Sequence, residues 1–188
     1  HADHSGLIAH LATGSSKVYC SAQDEPMINL EESFFDKMRG FIPLGGFPAD
    51  DFDQAVRMRP GYKYRCREYI HFTLLDDGDQ LQYGDYNLTV IATPGHTAGH
   101  LCLYEPNKKI LFSGDHILGD ITPNISLHTA GEDPLTDYLA SLEKPRRLAL
   151  DNVLPAHRSL IPDGYARIEE LKKHHAIRAN EVLEILAG

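Results

Sequence analysis

Apolar and polar positions alternate with a period of two over residues 71–75, 80–83 and 87–93. That period predicts three strands, because successive strand side chains point to opposite faces. Asp77-Gly78 and Gly84-Asp85 supply turn chemistry between them. Residues 100–105 and 109–113 read as a hairpin across Pro106-Asn107, 151–154 as a further short strand and 17–21 as an early one. Elsewhere the period is helical. Residues 5–11 predict a short helix that Ser5 is able to cap. Leu135, Tyr138, Leu139 and Leu142 share a face over 133–147, as do Ile168, Leu171, Ala179, Val182, Leu183 and Leu186 over 164–186. Over 24–59, Leu30, Phe34, Phe35, Met38 and Phe41 fall near helical spacing, and Gly40, Pro43, Gly45, Gly46 and Pro48 cut the pattern into short pieces.

Chemistry collects where the predicted strands give way to loops. His1-Ala2-Asp3-His4, Thr93-Pro94-Gly95-His96-Thr97, Gly99-His100, Gly114-Asp115 and Pro155-Ala156-His157 all contain metal-ligand residue types. Two imidazoles and a carboxylate within four residues suit zinc, with iron or manganese as alternatives. Neighbouring loop residues point in different directions, so one ion does not easily take all three donors of the first segment. Two adjacent ions relieve that problem. A single histidine among the chain's eleven is more often a surface or core residue than a ligand. The motif context sets His4, His96, Asp115 and His157 apart.

These segments resemble the metallo-β-lactamase superfamily, in particular its glyoxalase II-like and lactonase-like hydrolases. That signature runs His-x-His-x-Asp-His, then Pro-Gly-His-Thr-x-Gly-His, then an aspartate closing a hydrophobic strand, then a histidine after Leu-Pro. The resemblance implies that His1, Asp3, His4, His96, Asp115 and His157 hold two divalent metal ions, with Asp115 between them. His100 matches a family histidine that usually does not ligate. His10, His71, His116, His128, His174 and His175 read as non-ligands, the last two on a solvated helix face. The implied fold is an α/β protein of the αββα sandwich type. The first signature histidine has no counterpart here and the chain starts inside the ligand loop, so the N-terminal strands of the sandwich are expected upstream. Residues 1–188 then form the C-terminal portion of one domain, and 24–67 a helical insertion covering the substrate. A helix pair buried only for stability is the competing reading of that insertion.

The implied activity is hydrolysis of a small ester-like bond, a thioester or lactone favoured, by a hydroxide bridging the metals. Asp3 is the catalytic candidate that orients the hydroxide and passes a proton to the leaving group. Arg57, Arg59, Lys63, Arg65 and Arg67, with Tyr62 and Tyr64 interleaved, place five cations within eleven residues. The alternation around Lys63-Tyr64-Arg65 suggests an extended segment with its charges on one side. It either binds the carboxylates or phosphates of an anionic small-molecule substrate, such as a glutathione or coenzyme A thioester, or is a solvated edge. Arg158 stands where the family commonly has glycine, and is a further candidate anion clamp.

A formal charge of −9 argues against general nucleic-acid binding. A ribonuclease of the same superfamily is the alternative enzyme: residues 121–126 resemble a loop near that branch, but its second domain is absent. A non-catalytic metal-binding domain is the other alternative. No stretch approaches the roughly 18 apolar residues of a membrane span. Cys20, Cys66 and Cys102 are odd in number and lack a Cys-x-x-Cys spacing, which reads as reduced thiols in a cytoplasmic protein. Oligomeric state has no signature in the chain.

Overall fold

The computed structural model describes residues 1–30, 32–127 and 130–188, with backbone alone for 32–35 and 49. The expectations for Phe34, Phe35 and His128 therefore lie outside the described residues. Two compact units divide the chain: His1–Leu75 with Ser126–Asp133, and Asp76–Ile125 with Pro134–Gly188.

The first unit is built from short helices. It contains α1 (Ala2–Ser5), α2 (Ile8–Leu11), α3 (Glu25–Ile28), α4 (Glu32–Phe41), two 3₁₀ turns (Ile42–Gly45 and Ala49–Asp51), α5 (Phe52–Met58) and α6 (Pro60–Lys63). Strands β1 (Tyr19–Cys20) and β2 (Thr73–Leu74) pair in parallel. The single helix predicted over 5–11 is instead split. The Ser5 hydroxyl donates back to the His1 carbonyl at 3.0 Å, closing the first turn rather than capping a second. Helices of four residues do not hold themselves together, and side-chain ties to the backbone compensate. The Asn29 amide donates to the Ile70 carbonyl at 3.1 Å and accepts from its N–H at 3.0 Å, across 41 positions of sequence. Arg39 joins Asp36 (2.7 Å) to Asp53 (3.0 Å). Met38, Phe52, Cys66, Ile70 and Leu75 are buried. Residues 63–65 are not extended as the alternation suggested: α6 ends at Lys63, and the Arg65 guanidinium folds back to lie 3.6 Å from the centre of the Tyr62 ring.

The second unit carries a five-stranded sheet in sequence order: β3 (Gln80–Tyr83), β4 (Tyr86–Ala92), β5 (Leu101–Glu105), β6 (Ile110–Gly114) and β7 (Asn152–Pro155). The first three pairings are antiparallel and β6–β7 is parallel. The strands match the period-two reading to within a residue or so at each end. Helices α7 (Pro134–Ser141), α8 (Glu143–Arg146) and α9 (Gly164–Ala187) complete the unit. Its core joins Cys102, Leu111, Tyr138, Leu142, Val153, Ile168 and Leu171, all without solvent contact. The helix predicted over 133–147 is interrupted, because Pro145 has no N–H to give to the turn before it. In α9 only the first half buries apolar residues. Val182, Leu183 and Leu186 are exposed, against the expectation of one continuous buried face. His175, read as solvated, is half-buried with its ring centroid 5.3 Å from that of Tyr138, edge to face, whereas His174 is exposed.

Burial pushes the Glu105 carboxyl up, but the Lys108 and Asn87 backbone N–H groups and the Asn107 amide outweigh it and hold the group below the ordinary glutamate range. The folded state therefore binds this proton less readily than the unfolded chain, and the stabilisation is present above the ordinary glutamate range and lost as pH falls through the folded value. Glu105→Gln is expected to lower the urea midpoint at pH 7, and its gap to the parent should close towards pH 3. A gap unchanged by acid would remove Glu105 from the account.

Gly95 has φ +142°, and a Cβ there would lie 2.5 Å from the Cβ of Tyr138. Gly95→Ala is expected to cost about 2–4 kcal/mol in urea unfolding, from strain and overpacking together. A loss below about 0.5 kcal/mol, the range of ordinary surface substitutions, would show that the loop relaxes freely.

Candidate metal centre

In the second unit three strand ends deliver the predicted ligands. His96 lies in the loop after β4, Asp115 directly after β6 and His157 just beyond β7. The parallel β6–β7 pairing places the last two side by side, and the Ala156 N–H donates to the Gly114 carbonyl at 3.0 Å. Gly114 takes φ +53°, the turn that swings Asp115 out of the strand. The His96 loop is tied down by the Ser141 hydroxyl, which donates to the Pro94 carbonyl at 2.7 Å.

Each oxygen of Asp115 faces a different imidazole. Oδ2 lies 3.2 Å from His96 Nε2 and Oδ1 lies 3.3 Å from His157 Nε2. Donors about 2.0–2.1 Å from a tetrahedral zinc stand about 3.3 Å from one another. The donor types and their separations therefore fit a bridging carboxylate with a histidine on either side. His96 Nδ1 lies 2.7 Å from the Asn124 carbonyl, which can accept its proton, so that Nε2 is the nitrogen a metal ion would take. Burial pushes the His96 imidazole down, but the Asp115 carboxylate and the Asn124 carbonyl together raise it above the ordinary histidine value. Asp115 and His96 are buried, and His157 is half-buried.

His100 serves this group without belonging to it. Its Nε2 accepts the Asp115 backbone N–H at 3.2 Å and its Nδ1 lies 2.8 Å from the Thr93 hydroxyl. His116 is fully buried between His100 and Tyr138, with ring centroids 5.7 and 5.1 Å away. Burial, then the neighbouring His100, holds it well below the ordinary histidine range, so it is neutral packing. Cys102 is no nucleophile: burial pushes its thiol up to about 12. The Asn124 carbonyl is the contributor missing from the sequence reading, because a backbone acceptor carries no residue signature.

In the first unit His1, Asp3 and His4 lie together at α1, with Asp3 Oδ2 3.7 Å from His4 Nε2. Of the basic residues, Arg57 lies in the last turn of α5, Arg59 precedes α6 and Lys63 ends it. Lys63 sits 5.3 Å over the exposed Tyr64 ring and Arg67 is exposed. In the second unit Arg158 is exposed with φ 67°, a left-handed conformation in which glycine has no steric cost. Among the described residues, no helix is long and apolar enough to cross a membrane.

Comparisons with known proteins agree with these motifs. The family described as the metallo-beta-lactamase superfamily matches residues 1–157. The Caenorhabditis elegans beta-lactamase-like protein 2 homolog is 36% identical over 84% of this chain and 46% of its own length. The human acyl-coenzyme A thioesterase MBLAC2 is 32% identical over 68% of this chain and 47% of that protein. The crystal structure of the metallo-beta-lactamase family protein TTHA1429 from Thermus thermophilus superposes with a TM-score of 0.77 at 27% identity. The match covers 100% of this chain and 61% of that one. The chain thus spans about half the length of the curated relatives it matches. With the ligand motifs in family order and the family's α/β fold around them, the chain belongs to the metallo-beta-lactamase superfamily.

Proposed function

We propose that this protein is a metal-dependent hydrolase of a small ester-like bond, with a thioester as the favoured substrate. The observation that carries the reading is Asp115, a buried carboxylate with one oxygen turned to each of two imidazoles. In this reading His1, Asp3 and His4 complete the ligand set of two divalent ions, zinc foremost. Those ions would supply hydroxide at neutral pH and polarise the substrate oxygen. The thioesterase relative favours a thioester over a lactone.

The chain's own residues then have distinct tasks. Asn124 and Thr93 hold the His96 and His100 rings in one tautomer and orientation. Asp3 takes a proton from the attacking water and delivers it to the departing sulfur. The carbonyl carbon gains a C–O bond and loses its C–S bond, and the thiolate leaves as thiol. Arg158 is exposed next to His157, and in this reading it would meet an anionic group of the substrate.

Asp115→Ala is expected to lose metal, read by inductively coupled plasma mass spectrometry, and to lower thioester turnover by more than about 10²-fold, beyond the effect of an outer partner alone. Full activity with both metals retained would overturn the assignment. Arg158→Ala is expected to raise KM severalfold for an anionic thioester and leave kcat in place. An unchanged KM would exclude Arg158 from substrate binding.

A further inference from the structure

The first unit contains two adjoining cavities of opposite character. The first encloses about 370 Å³, within the roughly 300–1,000 Å³ of small-molecule sites. Its walls are mainly apolar, from Met27, Ile28, Leu30, Met38, Val56 and Pro60, with Arg59 and Arg65 also on the lining, and they reach His1 and Ala2 of the first ligand segment. The second encloses about 390 Å³ and is lined by Arg39, Arg57 and Arg65, with Asp53 as the carboxylate among its described lining residues. Arg39 pairs with Asp53 at 3.0 Å, so among the described lining residues the positive excess comes from Arg57 and Arg65. Leu30, Val56, Tyr62 and Arg65 line both cavities.

The shared wall is preorganised. The Arg65 guanidinium stacks 3.6 Å over Tyr62 and donates to the Tyr62 carbonyl, which fixes a rotamer-rich cation at the junction. A guanidinium held this way loses little further entropy when it binds an anion, and it presents several parallel N–H donors. One ligand filling both cavities must be apolar at one end and anionic at the other.

We infer that the helical segment 24–67 is a two-part substrate receptor: the apolar cavity takes an acyl chain, and Arg57 and Arg65 take a polyanionic thiol leaving group. The inference rests on the thioester reading above and deepens it. It divides the basic cluster into Arg57 and Arg65, which reach the anion cavity, Arg59, which lines only the mainly apolar one, and Lys63 and Arg67, which line neither. Because His1 lines the apolar cavity, an acyl chain held there lies against the first ligand segment.

The test is calorimetric titration of the whole metal-loaded protein with thioethers that cannot be hydrolysed. The S-ethyl, S-butyl and S-octyl derivatives of coenzyme A vary the chain. S-octylglutathione carries carboxylates in place of phosphates, and the S-octyl derivative of N-acetylcysteamine carries no charge. Affinity is expected to rise about fourfold per added methylene until the cavity is full. Both anionic ligands should bind at least about tenfold tighter than the neutral one, and the tighter of the two identifies the leaving group as phosphate- or carboxylate-bearing. Ile28→Trp, or Ile28→Phe should the larger ring unfold the segment, is expected to flatten the chain-length dependence. Arg57→Ala and Arg65→Ala should each narrow the gap between anionic and neutral ligands. Equal affinity for all chain lengths, or for charged and neutral thioethers, overturns the receptor. If thioesters are hydrolysed without either dependence, the receptor falls and the hydrolase stands. If binding shows both dependences but no thioester is cleaved, the receptor stands and the hydrolytic reading falls.

Discussion

A carboxylate buried at the end of a strand cannot remain charged there without partners, and the local structure around Asp115 follows from that demand. His96 and His157 face its two oxygens and His100 accepts its backbone N–H. Each partner needs a support of its own. Gly114 must adopt a left-handed turn, and a Cβ on it would come within 2.7 Å of His100 Nε2. The parallel register of β6 and β7 must bring His157 level with Asp115. The His96 loop must stay fixed on α7 through Ser141 and through the close approach of Gly95 to Tyr138. These are sheet and helix contacts rather than loop contacts, which is how a rigid scaffold holds donors to within a few tenths of an ångström.

The two units answer different physical problems. The second buries a continuous core between its sheet and helices, with Leu111, Tyr138, Leu142 and Ile168 fully covered. Among its described residues the first has few fully buried side chains and many short helices, with side-chain-to-backbone ties such as Asn29 to Ile70. Two spaces of ligand size lie among these elements. Under the proposed function, rigid donors on strand ends and recognition on the irregular helical segment would divide the work of chemistry and selectivity between different parts of the chain.

Regular local patterns were legible in the amino acids. The strands of the large sheet follow the period-two reading, and α9 begins where the apolar pattern begins. The misreadings share one cause. Ser5 was read as a cap from its type, but its hydroxyl found the carbonyl behind it. The charges of 63–65 alternate as in a strand, but the stacking of Arg65 on Tyr62 competes with extension. Val182, Leu183 and Leu186 recur at helical spacing, yet nothing in the second unit covers them among the described residues. In each case a pattern states which conformations are compatible, and a contact decides among them.

The sequence by itself determined the candidate donor types and their order along the chain, because metal chemistry restricts the donors and strand periodicity restricts where they fall, and the resemblance of those motifs gave the family. Only the tertiary structure decided that Asp115 turns one oxygen to each of His96 and His157, and that His100 is committed to a backbone N–H. It also decided that Arg57 and Arg65, rather than all five cations of the cluster, line the polar cavity. Those outcomes depend on the register of distant strands and on which side chains stack, and neither is encoded in the spacing of residues within one segment.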